Sequence, residues 1–296
     1  MRRISTATRV PNKFGPGKDG FTNGDAVGGI PATDLEDVWF DSVQEEIANA
    51  VEASGQTLDP NDRTQLTKAM QGRLLRTSVY TRPTGTQLVS VDGGTPTSTG
   101  ASTFTALAST RFVEVEVQGG GGGGGGVPAT GGTTVSASGS GGAGSYAMAR
   151  LSSGFSGVAI TMGAAGAGGA AGQSNGGNGG TSSFGALVSA PGGVGGQSSA
   201  PVVQPTARGG SIYAAPPSGG NLESSIGVAG GGTTMLSGTV ATPSHGGMSR
   251  FGARGISGQS AGGPGAGGGG LSQFFSSAAV VGVDGGSGIA IVREYS

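Results

Sequence analysis

Phe112-Val113-Glu114-Val115-Glu116-Val117-Gln118 runs directly into Gly119–Gly126, an unbroken block of glycine. The first half alternates strictly, with Phe112, Glu114 and Glu116 on one face and Val113, Val115 and Val117 on the other, the signature of a strand. The second half has no side chain to bury, so it cannot build a hydrophobic core. It is either disordered or packed backbone against backbone, and that alternative decides the fold.

Composition favours packing. The chain has 296 residues, 67 of them Gly, with a net charge of −1. Gly and Pro enrichment of this kind usually marks low complexity. Disordered chains, however, are rich in charge. Beyond Gly126 the charged residues are Arg150, Arg208, Glu223, Arg250, Arg254, Asp284, Arg293 and Glu294, too sparse for a solvated coil.

The strand ahead of the glycines has a natural partner in Gly288-Ile289-Ala290-Ile291-Val292-Arg293-Glu294-Tyr295, and antiparallel pairing sets 111–118 beside 288–295. Gln87–Val91 and Thr103–Leu107 read as further strands, and Val158–Thr161 and Val280–Val283 as additions to the same sheet. The glycine-rich block is then a long insertion rooted in a small β-sandwich.

Two segments repeat in threes, Asn175-Gly176-Gly177-Asn178-Gly179-Gly180 and Pro191-Gly192-Gly193-Val194-Gly195-Gly196. A polyproline-II helix has three residues per turn and no internal hydrogen bonds. Gly-Gly-X therefore leaves two bare edges along which neighbouring helices can approach and bond. Runs at 119–126, 163–169, 230–232 and 262–270 each supply a rod of such a lattice. Collagen is excluded, because 14 prolines and constant register breaks do not meet its strict period.

Residues 1–32 read as an extended anchoring arm, punctuated by turns. Residues 33–76 read as a helical attachment and oligomerisation module. Thr33-Asp34-Leu35-Glu36 has the form of a capping box, and Phe40, Val43, Ile47, Ala50 and Val51 are spaced close to a coiled-coil seam. Asp59-Pro60-Asn61-Asp62 starts a second helix carrying Leu66, Ala69, Met70 and Leu74, with Gly72 weakening or ending it. Residues 77–118 form a β-segment and 119–296 the glycine-rich tip domain. The expected fold class is mainly β and Gly-rich: a short αα-hairpin, then a small β-sandwich with an inserted polyglycine-II lattice.

The chemistry of an enzyme is missing. There is one histidine, His245, and no cysteine, which removes thiolate metal sites and disulfides. No metal or cofactor is expected, and the charge balance gives no reason to bind nucleic acid or an anionic membrane. No run approaches the apolar length of a membrane span. What stands out are large residues set in turns between rods. Tyr146, Arg208, Tyr213, His245, Arg250, Phe251 and Arg254 are the candidate binding residues, Tyr213 and the 243–254 loop foremost, since rigidly held aromatic and Arg side chains make binding surfaces. The competing reading is that aromatics of this kind plug the edges of the lattice.

The stretch Gly24-Asp25-Ala26 to Leu35 and the two helices after it resemble the attachment module of a tail fibre of a tailed bacteriophage or phage-tail-like bacteriocin. The Val113–Gly126 junction, the Gly-Gly-X blocks and the closing strand resemble the Gly-rich domain at fibre tips, where polyglycine-II helices form a hexagonal array. The resemblance implies an elongated homotrimer in the virion, made in the host cytoplasm. It implies attachment to the tail baseplate through residues 1–76 and binding of a host surface receptor (polysaccharide, pilus or outer-membrane protein) through distal loops. Two rival readings remain. A structural or ice-binding protein would present a regular Thr or Ala face, and a polysaccharide depolymerase would need carboxylates such as Glu223 clustered across chains.

Overall fold

A computed structural model describes residues 2–70, 73–242 and 244–296. The chain divides into two compact units, Met1–Arg73 with Ser296, and Leu74–Tyr295.

In the first unit, helix α1 (Asp37–Ala53) is followed by the short α2 (Gln65–Met70). The expected capping box does not form: the N-cap is Glu36, without a side-chain cap. The Glu36 carboxylate is taken instead by the N-terminal arm, accepting from the Ser5 backbone N–H at 3.0 Å and pairing with Arg2 at 3.3 Å. The arm doubles back through bridges Val10–Gly20 and Asp25–Ile30. It buries Ile4 and sets Phe21 edge-on to Trp39 of α1 at 5.1 Å. Asp59-Pro60-Asn61-Asp62 also does not open the second helix. Asp59 and Asp62 each accept the N–H two residues on, at 2.9 and 2.8 Å, forming Asx turns that delay the helix to Gln65. Leu74, expected on that helix, opens a strand. The expected stop at Gly72 and the Met70 side chain lie outside the described residues.

The second unit is all β and lattice. Its strands are β1 (Leu74–Thr81), β2 (Leu88–Val91), β3 (Thr103–Phe104), β4 (Phe112–Gln118), β5 (Ser136–Ala137), β6 (Tyr146–Leu151), β7 (Val158–Thr161) and β8 (Ser182–Phe184). They continue with β9 (Val188–Ala190), β10 (Thr206–Arg208), β11 (Glu223–Ser225), β12 (Thr233–Met235), β13 (Ala241–Thr242), β14 (Ser272–Gln273) and β15 (Ile289–Tyr295). One sheet has the order β11-β6-β4-β15-β1-β2, the other β3-β7-β8-β9.

The expected pairing is present in register: β15 lies antiparallel to β4, from Ile289 opposite Gln118 to Tyr295 opposite Phe112. The alternation of β4 explains the sandwich. Val113, Val115 and Val117 are fully buried and meet Phe104, Phe184, Val188 and Met162 between the two sheets. Each such side chain contributes about 1.5–3 kcal/mol by leaving water. The strand at Val158–Thr161 joins the second sheet rather than the first. Val280–Val283 is a lattice rod rather than a strand, because it bonds to the glycines.

Within the first sheet, on the interior strand β15, a buried carboxylate locks the closure. Glu294 is fully buried, pairs with Arg76 of β1, and accepts from Leu107 N–H at 2.9 Å and the Thr110 hydroxyl at 2.7 Å.

Between strands the chain runs as glycine-rich rods, and Gly119–Gly126 is central. Its N–H groups divide with a period of three. Gly119, Gly122 and Gly125 donate to Ser145, Gly142 and Gly139; Gly120, Gly123 and Gly126 to Gly180, Gly177 and Ser174; Gly121 and Gly124 to Gly286 and Val283. Its carbonyls accept from three other rods, through Gly166 and Gly169, through Gly193 and Gly196, and through Gly268. Descending residue numbers make the first three neighbours antiparallel, and ascending numbers make the 166–169 and 193–196 neighbours parallel. A rod enclosed on six sides has no direction for a side chain. A Cβ added at any of Gly119–Gly126 would stand only 1.9–2.8 Å from a neighbouring carbonyl oxygen. This is the hexagonal polyglycine-II arrangement, and the block is glycine because every edge is occupied.

Rods 138–145 and 265–271 are likewise fully buried. In 138–145, serines substitute for missing backbone partners: the Ser138 hydroxyl donates to the Gly125 carbonyl at 2.6 Å and accepts the Leu271 N–H at 2.9 Å. The outer rods carry side chains on their free edge. Asn175 and Asn178 turn theirs to account by accepting the Ser198 and Gly195 N–H groups. The expected single rod at 262–270 is divided: Gly262 bonds to Ala253, and Gly265, at φ +72°, turns the chain into the rod that follows.

Candidate functional site

The lattice has two ends. One is the sandwich, where β4, β6, β7, β8, β9 and β15 enter or leave the rods. The other is formed by the turns beyond, held by the small sheets β10-β12-β13 and β14-β5. Val135, Ala137 and Met235 form a second core there, with Phe275 packed against it. Outside this core Val202, Val203, Leu236, Val240 and Phe274 are exposed.

The candidate residues do not form one surface. Arg208 lies on β10 at the far end and donates to Gln197 Oε1 at 2.6 Å. Tyr213, 68% exposed, stands on an outer rod. The expected loop 243–254 is mostly a rod: Gly246 donates to Gly255, Gly247 to Gly141, and the His245 carbonyl accepts from Gly231. Pro243 lies outside the described residues. The His245 Nδ1 is buried and has no partner among the described residues. Arg254 is exposed on the segment that returns after the bend at 250–252.

Tyr146, Arg250 and Phe251 do come together, where the lattice meets the sandwich. Tyr146 is not presented to solvent; it is 2% exposed. It opens β6 opposite Gln118, and its hydroxyl donates to Glu116 Oε2 at 2.8 Å. Burial, then the hydrogen bond to Glu116 and its charge, push its pKa well above the ordinary tyrosine range. The Arg250 guanidinium lies over its ring at 4.6 Å and pairs with Glu223 of β11 at 2.6 Å. Phe251 stands 6.1 Å from the same ring. Glu116 is also bound by Arg293.

A groove of about 270 Å³ opens at this junction, lined among others by Gln118, Tyr146, Ile226, Val228, Met248 and Arg250. Sequence reasoning missed Gln118, Ile226 and Met248. Gln118 is the last residue of an alternating strand, and nothing local marks it as different from the residues before it. Among the described residues, no group of three His, Asp or Glu side chains is placed to hold a metal ion. No helix among them is long and apolar enough to cross a membrane.

A family model described as a glycine-rich domain matches residues 96–295, which include the glycine rods and most of the sandwich. A stretch of 75 residues is 49% identical to the uncharacterized protein StfP of Escherichia coli (strain K12). It covers 25% of this chain and 36% of StfP, so the chain matches only about a third of that relative's length.

Proposed function

Because the chain belongs to the glycine-rich domain family, we propose that its lattice serves as the tip of a receptor-binding tail fibre of a phage or phage-tail-like particle. Residues 1–76 attach it to the tail baseplate, three copies assemble into the fibre, and the far turns of the lattice contact a host surface receptor. The protein performs no chemistry of its own. It is carried in the virion.

One observation carries this reading. The chain enters the second unit at Leu74 and leaves at Tyr295, which pair with one another at the sheet end remote from Gln118 and the glycine rods. The turns at the opposite end are therefore remote from the points where the chain enters and leaves that unit, and rods bonded on several sides hold them in place. Exposed apolar residues on a rigid mount lose little conformational entropy on binding. The sequence resemblance to tail fibres and the similarity to StfP support the same reading.

The test is binding of the purified full chain to susceptible cells and to receptor-less mutants, followed by the variant Val203→Asp with Leu236→Asp. Selective binding that the double variant abolishes supports the proposal, with the melting temperature reporting that the variant is folded. Equal binding to both cell types refutes it. Sedimentation equilibrium tests the assembly, and a monomer at micromolar concentration would remove the trimer.

A further inference from the structure

We propose that one flank of the lattice is the surface along which three copies of this chain pack side by side, with the 226–231 rod at their common axis. The inference rests on the assembly of three copies proposed above and not on receptor binding by the far turns.

The rod 138–145 has six neighbours. It donates to 191–197, 226–231 and 265–270, and accepts from 119–126, 211–215 and 245–249 through Gly122, Ser211 and Gly247. Three of the six lie in succession on the outside. Gly230 N–H donates to the Ser211 hydroxyl and Gly231 N–H to the His245 carbonyl, which places 226–231 between 211–215 and 245–249. These three rods carry Ile212, Tyr213, Ile226, Val228 and Met248, between 48% and 70% exposed. The outer rods 163–170 and 175–180 instead expose Ala164, Ala167, Ala170, Asn175 and Asn178. From Gly209 to Ser249 the chain has one charged residue, Glu223, and it pairs with Arg250 at the sandwich end of the flank. The five large side chains expose on the order of 500 Å² together, a size at which an apolar patch marks a contact site. Depleted of charge and holding Tyr and Met, the flank has the composition of the core of a protein–protein interface.

The occupant follows from the geometry of the lattice. Six rods around one stand about 60° apart, so the two sides of the corner at 226–231 meet at about 120°, and three such corners close a ring without a gap. Rotation about an axis parallel to the rods keeps every residue at its own height, so the two sides must match at one level. A Cβ on Gly142 would lie 3.3 Å from the Val228 carbonyl oxygen and 3.4 Å from that of Ile212. A Cβ on Gly247 would lie 2.1 Å from the same Val228 oxygen and 2.3 Å from the Ala143 nitrogen. Ile212, Val228 and Met248 therefore stand at one level of the lattice, beside Gly142 and Ala143. The Met248 side of one copy then faces the Ile212 and Tyr213 side of the next, while Ile226 and Val228 approach their counterparts at the axis. Side chains make this contact, since large groups on the outer edge keep a further rod from bonding backbone to backbone. Tyr213, foremost among the candidate receptor residues, is covered in this arrangement.

The test uses the full chain, which has no cysteine. Ile212→Cys with Met248→Cys, joined by a short bismaleimide, should give a covalent trimer on a denaturing gel. Ala164→Cys with Ala170→Cys, on an outer rod across the lattice, should give none. Sedimentation equilibrium should show a trimer that Val228→Asp with Met248→Asp weakens about a hundredfold or more, because carboxylates would be buried unpaired between copies. Val203→Asp with Leu236→Asp, at the far turns, should leave it intact. Slow exchange of the lattice glycine amides reports that each variant is folded, since those bonds lie within one copy. Should Val228→Asp with Met248→Asp fail to fold, the cross-linking decides. A folded variant of that pair that remains trimeric, or a cross-linked product that stops at the dimer, would overturn this surface and leave the trimer in place. A parent protein that sediments as a monomer would overturn both.

Discussion

Replacing Gly121 by alanine tests the lattice at the most crowded position of its central rod. The new Cβ would stand 1.9 Å from the Ala266 carbonyl oxygen and 2.4 Å from its carbon. These are main-chain atoms, so no side chain can swing aside, and the rods must separate. Separation weakens the bonds from Gly121 N–H to Gly286 and from Gly166 N–H to Gly121, at 2.7 and 2.8 Å. Each is worth about 0.5–1.5 kcal/mol net, and forcing a methyl into a packed interior costs about 1–3 kcal/mol more. The expected loss is roughly 2–6 kcal/mol, or a melting temperature lower by roughly 4–24 °C for a unit of this size. Gly209→Ala is the matched control. Its Cβ meets nothing within 4 Å, so the substitution should be neutral or stabilise by up to about 1 kcal/mol through the unfolded chain. Thermal and urea unfolding of the full chain read both. If Gly121→Ala melts with the parent protein, or Gly209→Ala falls as far, then close backbone packing is not what holds the glycines.

Three further outcomes follow from other parts of the fold. Glu294→Leu leaves Arg76 without its carboxylate and strands the Leu107 N–H, and should cost about 3–5 kcal/mol by urea unfolding, as for removal of one member of a buried pair. Ser138→Ala removes one partner each from the Gly125 carbonyl and the Leu271 N–H; a loss of about 1–3 kcal/mol is expected, with faster amide exchange at Leu271 as the local readout. Tyr80, Tyr146 and Tyr295 all have pKa values raised chiefly by burial. The folded state then holds protons that the unfolded state releases above pH about 10. Their contribution to stability is full below that pH and lost as pH rises beyond it. Tyr146→Phe should flatten this decline, and an alkaline absorbance titration that shows all tyrosines ionising near 10 would contradict the burial.

The lattice and its clamp were legible because each rests on a short-range rule. Alternation in Phe112–Gln118 and Ile289–Tyr295 specifies two strands with matching faces, and glycine without charge leaves backbone packing as the ordered option. What could not be read depends on partners distant in sequence. The Thr33–Glu36 box has the correct local spacing, yet Ser5 and Arg2 compete for Glu36 and win it. Leu74 resembles the tail of an amphipathic helix, and only the free edge of β15 draws it into a strand. Tyr146 looks like a residue displayed between rods, but Glu116, 30 residues before it, and Arg250, far after it, enclose it. The 243–254 segment reads as a loop because Ser, His and Pro punctuate it. Its glycines nevertheless find carbonyls at Gly141 and Gly255.

The three-residue division of hydrogen bonds around Gly119–Gly126 also constrains how such a protein can change. Inserting one or two residues into that rod would hand every later N–H to the wrong neighbour, and each carbonyl after it would face a different rod. Adding three would restore every assignment beyond the insertion. The rods can therefore lengthen or shorten only in whole turns, whereas the connections at their far ends are free to drift in length and composition. A scaffold of this kind has a quantised interior and an unconstrained rim, and mutation can explore the rim without disturbing the count within.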